Sequence, residues 1–178
     1  QFVQSSYTDD LFTGGSDLEQ LQRETRIISD GLGLASFQTQ DWIFSGSKND
    51  SVNTLGMHWH VEEDCWSLKT KINLAPKKRG APEPKFTIQN VGQLKAFFAE
   101  NKISKRQALR AVHSLYDPLG LYIQIKMNLF AVYRRILSEN PGAQWDDCIS
   151  EASKTLLEKA LEQLLEVRDH RVPRSGLP

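Results

Sequence analysis

The sequence predicts an α+β protein in which two β-hairpins with a helix come first and a helical bundle follows. Three observations predict it. Apolar and polar residues largely alternate through Val52, Leu55, Met57, Trp59 and Val61, and again through Trp66, Leu68, Thr70 and Ile72, the period of strands with one buried face. From Asn90 onward apolar residues recur every three or four positions, the period of helices. Between the two regimes, Pro76 to Phe86 holds Lys77-Lys78-Arg79-Gly80 and three prolines, the composition of a linker.

Taken in order, residues 1–15 read as a hairpin: Phe2-Val3 and Leu11-Phe12 flank Tyr7-Thr8-Asp9-Asp10, and Thr13-Gly14-Gly15 closes the segment. Ser16 or Asp17 caps a helix whose stripe is Leu18, Leu21, Ile28 and Leu32, and Gly31 and Gly33 end it. Leu34 to Phe44 reads as a strand with imperfect alternation, and Ser45 to Asp50 as a surface loop. The second hairpin turns at Glu62-Glu63-Asp64. In the helical half, Asn90 with Gln93 and Ser104 with Gln107 have capping-box spacing. The second of these helices carries Leu109, Val112 and Tyr116 on one face and stops at Asp117-Pro118, because proline disfavours helix in the residue before it. A third helix runs from about Leu121 to Ser138, and a last from about Asp147 to Val167 with Leu156, Leu157, Ala160, Leu161, Leu164 and Leu165 inward. The tail from Arg168 is expected to be disordered. The resulting division is 1–75, a linker at 76–89, 90–140 and 141–178.

Composition excludes little. Lys+Arg and Asp+Glu are 22 each in 178 residues, so any basic surface must be local. No apolar run reaches the length of a membrane span, and the first residues lack a basic stretch followed by an apolar one. Cys65 and Cys148 match no metal or redox spacing, so the expectation is reduced thiols in an intracellular protein, in cytoplasm or nucleus. The absence of an initial Met suggests a fragment of something larger.

The chemistry-bearing feature is the adjacent pair Asp9-Asp10. Neighbouring strand residues point to opposite faces, so two adjacent carboxylates share a face only where a turn breaks the period. Like charges held side by side need cations, and hard carboxylate oxygens suit Mg²⁺, which is usually bound by one or two carboxylates plus substrate phosphates. The competing reading is a solvated acidic turn. Lys102, Lys105, Arg106 and Arg110, with Lys77-Lys78-Arg79, are candidates for phosphate contact, against a reading as solvated surface. His58, His60 and Cys65 lack a fourth zinc ligand.

The order of these features resembles the end of the palm and the thumb of a reverse transcriptase, and is most similar to the Bel/Pao class of LTR retrotransposons. Tyr7-Thr8-Asp9-Asp10-Leu11 through Gly14 resembles the Tyr-x-Asp-Asp polymerase motif of that class. Phe37, Trp42 and Ser45 resemble the Phe-x-Leu-Arg-Lys-Trp-x-Ser segment, and Thr54-Leu55-Gly56-Met57-His58-Trp59 resembles the primer-grip hairpin. Lys105-Arg106 with Leu109, then Tyr116-Asp117-Pro118-Leu119-Gly120-Leu121, and finally Trp145-Asp146-Asp147, resemble three further motifs in the family's order. Ser5-Ser6 and Thr39-Gln40-Asp41 depart from it, the latter by losing two basic residues.

The resemblance implies an RNA-directed DNA polymerase acting through two Mg²⁺ ions, with Asp9 the principal ligand and Asp10 the supporting one. It implies that Tyr7, Leu55, Gly56, Met57, Lys105 and Arg106 meet an RNA or DNA template-primer, and that the rest of the Pol polyprotein is a partner. Another essential aspartate lies upstream in that family, so these 178 residues alone are expected not to polymerise. Two other functions compete with this one. An aspartic peptidase, whose name attaches to the neighbouring region of Pao polyproteins, needs an Asp-Thr-Gly or Asp-Ser-Gly turn, which the sequence lacks. A non-enzymatic interaction module from a decayed element would use the Leu-rich 147–167 helix for a partner.

Overall fold

A computed structural model describes residues 6–7, 10–48, 51–54, 56–75 and 87–174. Among them the fold is α+β, as expected. β1 (Ser6–Tyr7) pairs antiparallel with β2 (Asp10–Leu11), and α1 (Leu18–Leu34) follows. β3 (Val52–Thr54), β4 (Met57–His60) and β5 (Cys65–Leu68) form an antiparallel meander, joined after the helices by β6 (Val172–Pro173) in the order β3-β4-β5-β6. The helices are α2 (Val91–Glu100), α3 (Lys105–Val112), α4 (Ile123–Glu139) and α5 (Glu151–Val167).

α1 starts where Asp17 caps it, its carboxylate accepting the Glu19 N–H at 2.9 Å. It does not stop at the glycines. Gly31 and Gly33 lie inside the helix, and the chain leaves it at Ser36, whose φ is +64°. Ser36 N–H bonds Gly33 O and Phe37 N–H bonds Leu32 O, both at 3.0 Å, which is a Schellman ending with serine in the left-handed place usually given to glycine. The strand expected over Leu34 to Phe44 does not form. Among the described residues no strand lies alongside to complete its backbone hydrogen bonds, and the segment instead folds back on α1, where Thr39 and Trp42 both donate to Ser29 Oγ. α1 keeps Ile27, Leu34 and, just beyond it, Phe37 in solvent.

The long arm expected at Val52–Val61 is two strands. Gly56, at φ +75°, turns the chain between Thr54 and Met57, which pair across the turn. Val61 and the next turn lead to β5, in register Met57 with Leu68 and Trp59 with Trp66.

The core lies between this meander and the four later helices. Leu68, Ile72, Leu74 and Ile88 meet Leu94 and Phe98 of α2, Ala108 and Val112 of α3, Leu129 and Ile136 of α4, and Leu157, Leu161 and Leu164 of α5. Each large side chain so buried stabilises the fold by about 1.5–3 kcal/mol. The expected apolar stripe of α5 is buried except for Leu156, which is partly buried, and the Ser104–Gln107 capping box forms in both directions. At Asn90 the side chain accepts Gln93 N–H, but the Gln93 amide reaches back one residue further, to the Gln89 N–H.

The tail is ordered as far as it is described. Val172 and Pro173 pair with Trp66 and Cys65, and Arg174 N–H bonds Asp64 O at 2.9 Å. Pro173 is tolerated because β6 is an edge strand. Arg171 pairs with Glu63, and Arg174 Nε lies 2.7 Å from Asp64 Oδ1 with its guanidinium 5.9 Å from the Trp59 ring centre. The exposed Glu63 and the half-buried Asp64 of the β4–β5 turn thus draw the tail in.

Candidate nucleic-acid interface

Tyr7 and Asp10 of the Tyr-x-Asp-Asp segment lie on the short β1–β2 pair, directly opposite each other in register. Asp9 falls outside the described residues, and for Tyr7 and Asp10 the backbone alone is described. α1 follows this pair, and the Leu-Gly hairpin follows α1, the order expected from the sequence.

At that hairpin the expectation changes. The close approach that Gly56 permits is made by this chain's own Tyr116: a Cβ at residue 56 would fall on that ring. Met57 is 1% exposed and paired with Leu68, so it is a core side chain and cannot press on a primer end. Leu55 lies outside the described residues.

Lys105 is the second correction. It is 6% exposed, and its ammonium donates to Asn140 O at 2.7 Å and Ala143 O at 3.1 Å. A cation at the end of α4 also suits the negative end of that helix. It therefore joins α3 to the α4–α5 connection and is not available to phosphate.

The same joint explains the Trp-Asp-Asp motif. The first N–H groups of a helix lack partners within it; here Lys105 N–H takes Asp147 O and Arg106 N–H takes Trp145 O. Asp147 Oδ2 accepts Gln144 N–H at 2.8 Å, which holds the turn, and Ile149 N–H bonds Ile103 O. Asp117 plays the corresponding part before α4. It is 6% exposed and accepts Leu121 N–H at 3.0 Å and Tyr122 N–H at 2.8 Å. The motifs at residues 105, 117 and 147 are in this way accounted for by backbone capping.

What remains open to solvent is a cleft of about 310 Å³ lined by Lys102, Ser104, Arg106, Gln107, Arg110, Asp146 and Cys148. Three of the four basic residues singled out in this stretch line it. Arg110 Nη1 donates to Ala75 O at 2.7 Å and Gln107 Nε2 to Leu74 O at 2.6 Å, so α3 is tied to the end of the β-rich half. Arg106 meets Asp146 side-on, Nε to Oδ1 at 2.8 Å and Nη2 to Oδ2 at 3.2 Å. The guanidinium holds the Asp146 carboxyl below its usual range, chiefly through these hydrogen bonds. Sequence reasoning noted Asp146 as part of a motif but missed that it sits among the basic residues, because a separation of 40 positions leaves no periodic signal.

His58 and His60 share a face of β4. His60 Nε2 lies 2.7 Å from Ser67 Oγ, and His58 is held below its ordinary pKa by burial first and then by Lys69. No three His, Cys, Asp or Glu side chains converge as a metal site among the described residues. No described helix is long and apolar enough to cross a membrane.

Residues 104–177, less than half of the chain, match the family model of the Pao retrotransposon-like RNaseH-like domain. Its described part comprises α3, α4, α5 and β6. No curated protein and no solved structure matches the chain. The match supports a Pao retrotransposon origin for this chain, without singling out a palm or a thumb.

Proposed function

We propose that this chain is the C-terminal end of a reverse-transcriptase palm together with a thumb-like helical unit, part of a retrotransposon Pol polyprotein that holds a template-primer. The observation that supports this best is the register of Tyr7 with Asp10 on a short antiparallel pair, followed in order by α1 and the Gly56 hairpin. The donor chemistry fits Mg²⁺: Asp9 and Asp10 are neighbours in sequence, and adjacent hard carboxylates repel each other unless a cation lies between them. Mg²⁺ bound there supplies charge stabilisation to a transferring phosphate. In this reading Asp9 and Asp10 hold the ions, and the 35–48 loop and α1 support the hairpin. The Gly56–Tyr116 contact sets the hairpin against the helices, and the Lys102–Arg110 cleft contributes phosphate contacts.

The test uses this chain joined to the upstream palm segment. Replacing Asp9 and Asp10 by Asn should abolish Mg²⁺-dependent primer extension while the helices keep their thermal transition. Extension that survives the double substitution overturns the polymerase reading. Unchanged Mg²⁺ and primer-template affinity in the same variant would favour the interaction module instead.

A further inference from the structure

Among the described residues, Asp146 is the one carboxylate lining the cleft with Lys102, Arg106 and Arg110. It presents both oxygens to the Arg106 guanidinium in a side-on pair. That two-point geometry is also how a guanidinium takes a phosphate. The pair is at the surface, with the Arg106 side chain 52% and the Asp146 side chain 78% exposed. The backbone on both sides is fixed independently, by Arg106 N–H on Trp145 O and Lys105 N–H on Asp147 O. The turn is closed by Asp147 rather than Asp146. Arg106 can therefore change partners by side-chain motion alone.

We propose that the cleft is a phosphodiester-binding site in which Asp146 stands in for the phosphate, so that a nucleic-acid strand binds by taking Arg106 from Asp146. Asp146 is then an internal competitor. Removing it raises affinity, opposite to what the loss of a supporting ion pair would do. Lys102 supplies the additional charge that lets a strand win the exchange, and the bond to Ala75 O keeps Arg110 at the wall of the cleft. The choice of a nucleic acid as the source of the phosphate rests on the function proposed above.

The experiment measures binding of a fluorescein-labelled single-stranded DNA oligonucleotide, and separately of pyrophosphate, to the whole chain at several salt concentrations. Asp146→Asn and Asp146→Ala should both tighten oligonucleotide binding, by roughly three- to tenfold for one freed charge-assisted contact. Arg106→Gln should weaken it and remove the gain when combined with either. Arg106→Lys, which keeps the charge but not the fork, should fall between. Lys102→Ala should lower the slope of log affinity against log salt by about one. Amide-exchange protection of α3 and α4 reports that the fold is kept.

Oligonucleotide affinity unchanged or weakened in both Asp146 variants, with protection intact, overturns the cleft proposal. If the wild type nonetheless binds the oligonucleotide, the broader nucleic-acid reading survives. If pyrophosphate binds with the expected dependence on Asp146 and Arg106 while the oligonucleotide does not, the displacement device stands. The nucleic-acid source then falls.

Discussion

The ring of Tyr116 fills the space that any side chain at residue 56 would need, and Gly56 stands at φ +75° where it meets that ring. The two residues lie in different sequence motifs and different halves of the chain, so their contact fixes the angle between the β3–β4 turn and the segment that leads into α4.

Gly56→Ala should therefore destabilise the protein twice over. The left-handed backbone costs about 1–2 kcal/mol for an L-residue, and the overlap with the ring adds to it. Gly56→Ala combined with Tyr116→Ala should recover the steric part and retain the backbone part. Urea midpoints of the four proteins in the cycle measure both. Additive losses would show that the ring and the turn do not touch in solution.

Lys105→Ala should cost about 1–3 kcal/mol, because two part-buried carbonyls lose a charged donor. For a chain of this size that is roughly 2–4 °C in Tm per kcal/mol. Lys105→Met, which keeps the apolar stem, should restore little if the hydrogen bonds to Asn140 O and Ala143 O dominate. A variant with wild-type Tm but weaker oligonucleotide binding would return Lys105 to the surface role its sequence context suggests.

Glu139 is a pH reporter for the α4–α5 joint. Hydrogen bonds from Ser150 Oγ, then Ser153 Oγ, then Arg135 hold its pKa below the ordinary glutamate value. A depressed carboxylate contributes stability that is complete above its unfolded pKa and lost as the pH falls through its folded one. Asp64, lowered mainly by Arg174, acts in the same direction. Acidification should thus weaken the protein progressively below the usual carboxylate range. Glu139→Gln should be less stable at neutral pH and show a shallower acid limb in urea titrations repeated across pH. Identical limbs in the two proteins would sink this assignment.

Truncation after Asp169 should expose the outer edge of β5. Amides of Cys65–Leu68 should exchange faster, and the Trp59 fluorescence should change as Arg174 leaves its ring. Arg174→Ala alone should have a smaller effect, because an ion pair this exposed contributes only modestly. Unaltered exchange at Trp66 in the truncated protein would mean that β6 does not cover that edge.

What could be read from residues alone followed physical range. α4, α5 and the Ser104 capping box were legible because the interactions that make them act over three or four positions. The end of α1 is less legible, because two glycines are a conspicuous stop signal whereas the left-handed residue is Ser36. The resemblance assigns Gly56 to a template-primer contact, whereas the space beside it is taken by the Tyr116 ring. Lys105 looked like surface charge because nothing local shows that Asn140 and Ala143 receive it. Asp146 could not be placed beside Arg106 from spacing, and the β6 tail could not be told from a free end, since both depend on partners far away in the chain.

That last distance has a consequence for biosynthesis. Arg174 and Asp64 are 110 positions apart, and all four later helices lie between them. On the ribosome the β3–β5 meander emerges long before the strand that completes its sheet, and an uncovered edge invites pairing with other chains. Closing so long a loop is slow unless the intervening helices have already brought its ends together. Those helices are built from short-range contacts and form quickly, so nascent chains remain most vulnerable to aggregation between the release of β5 and the docking of β6.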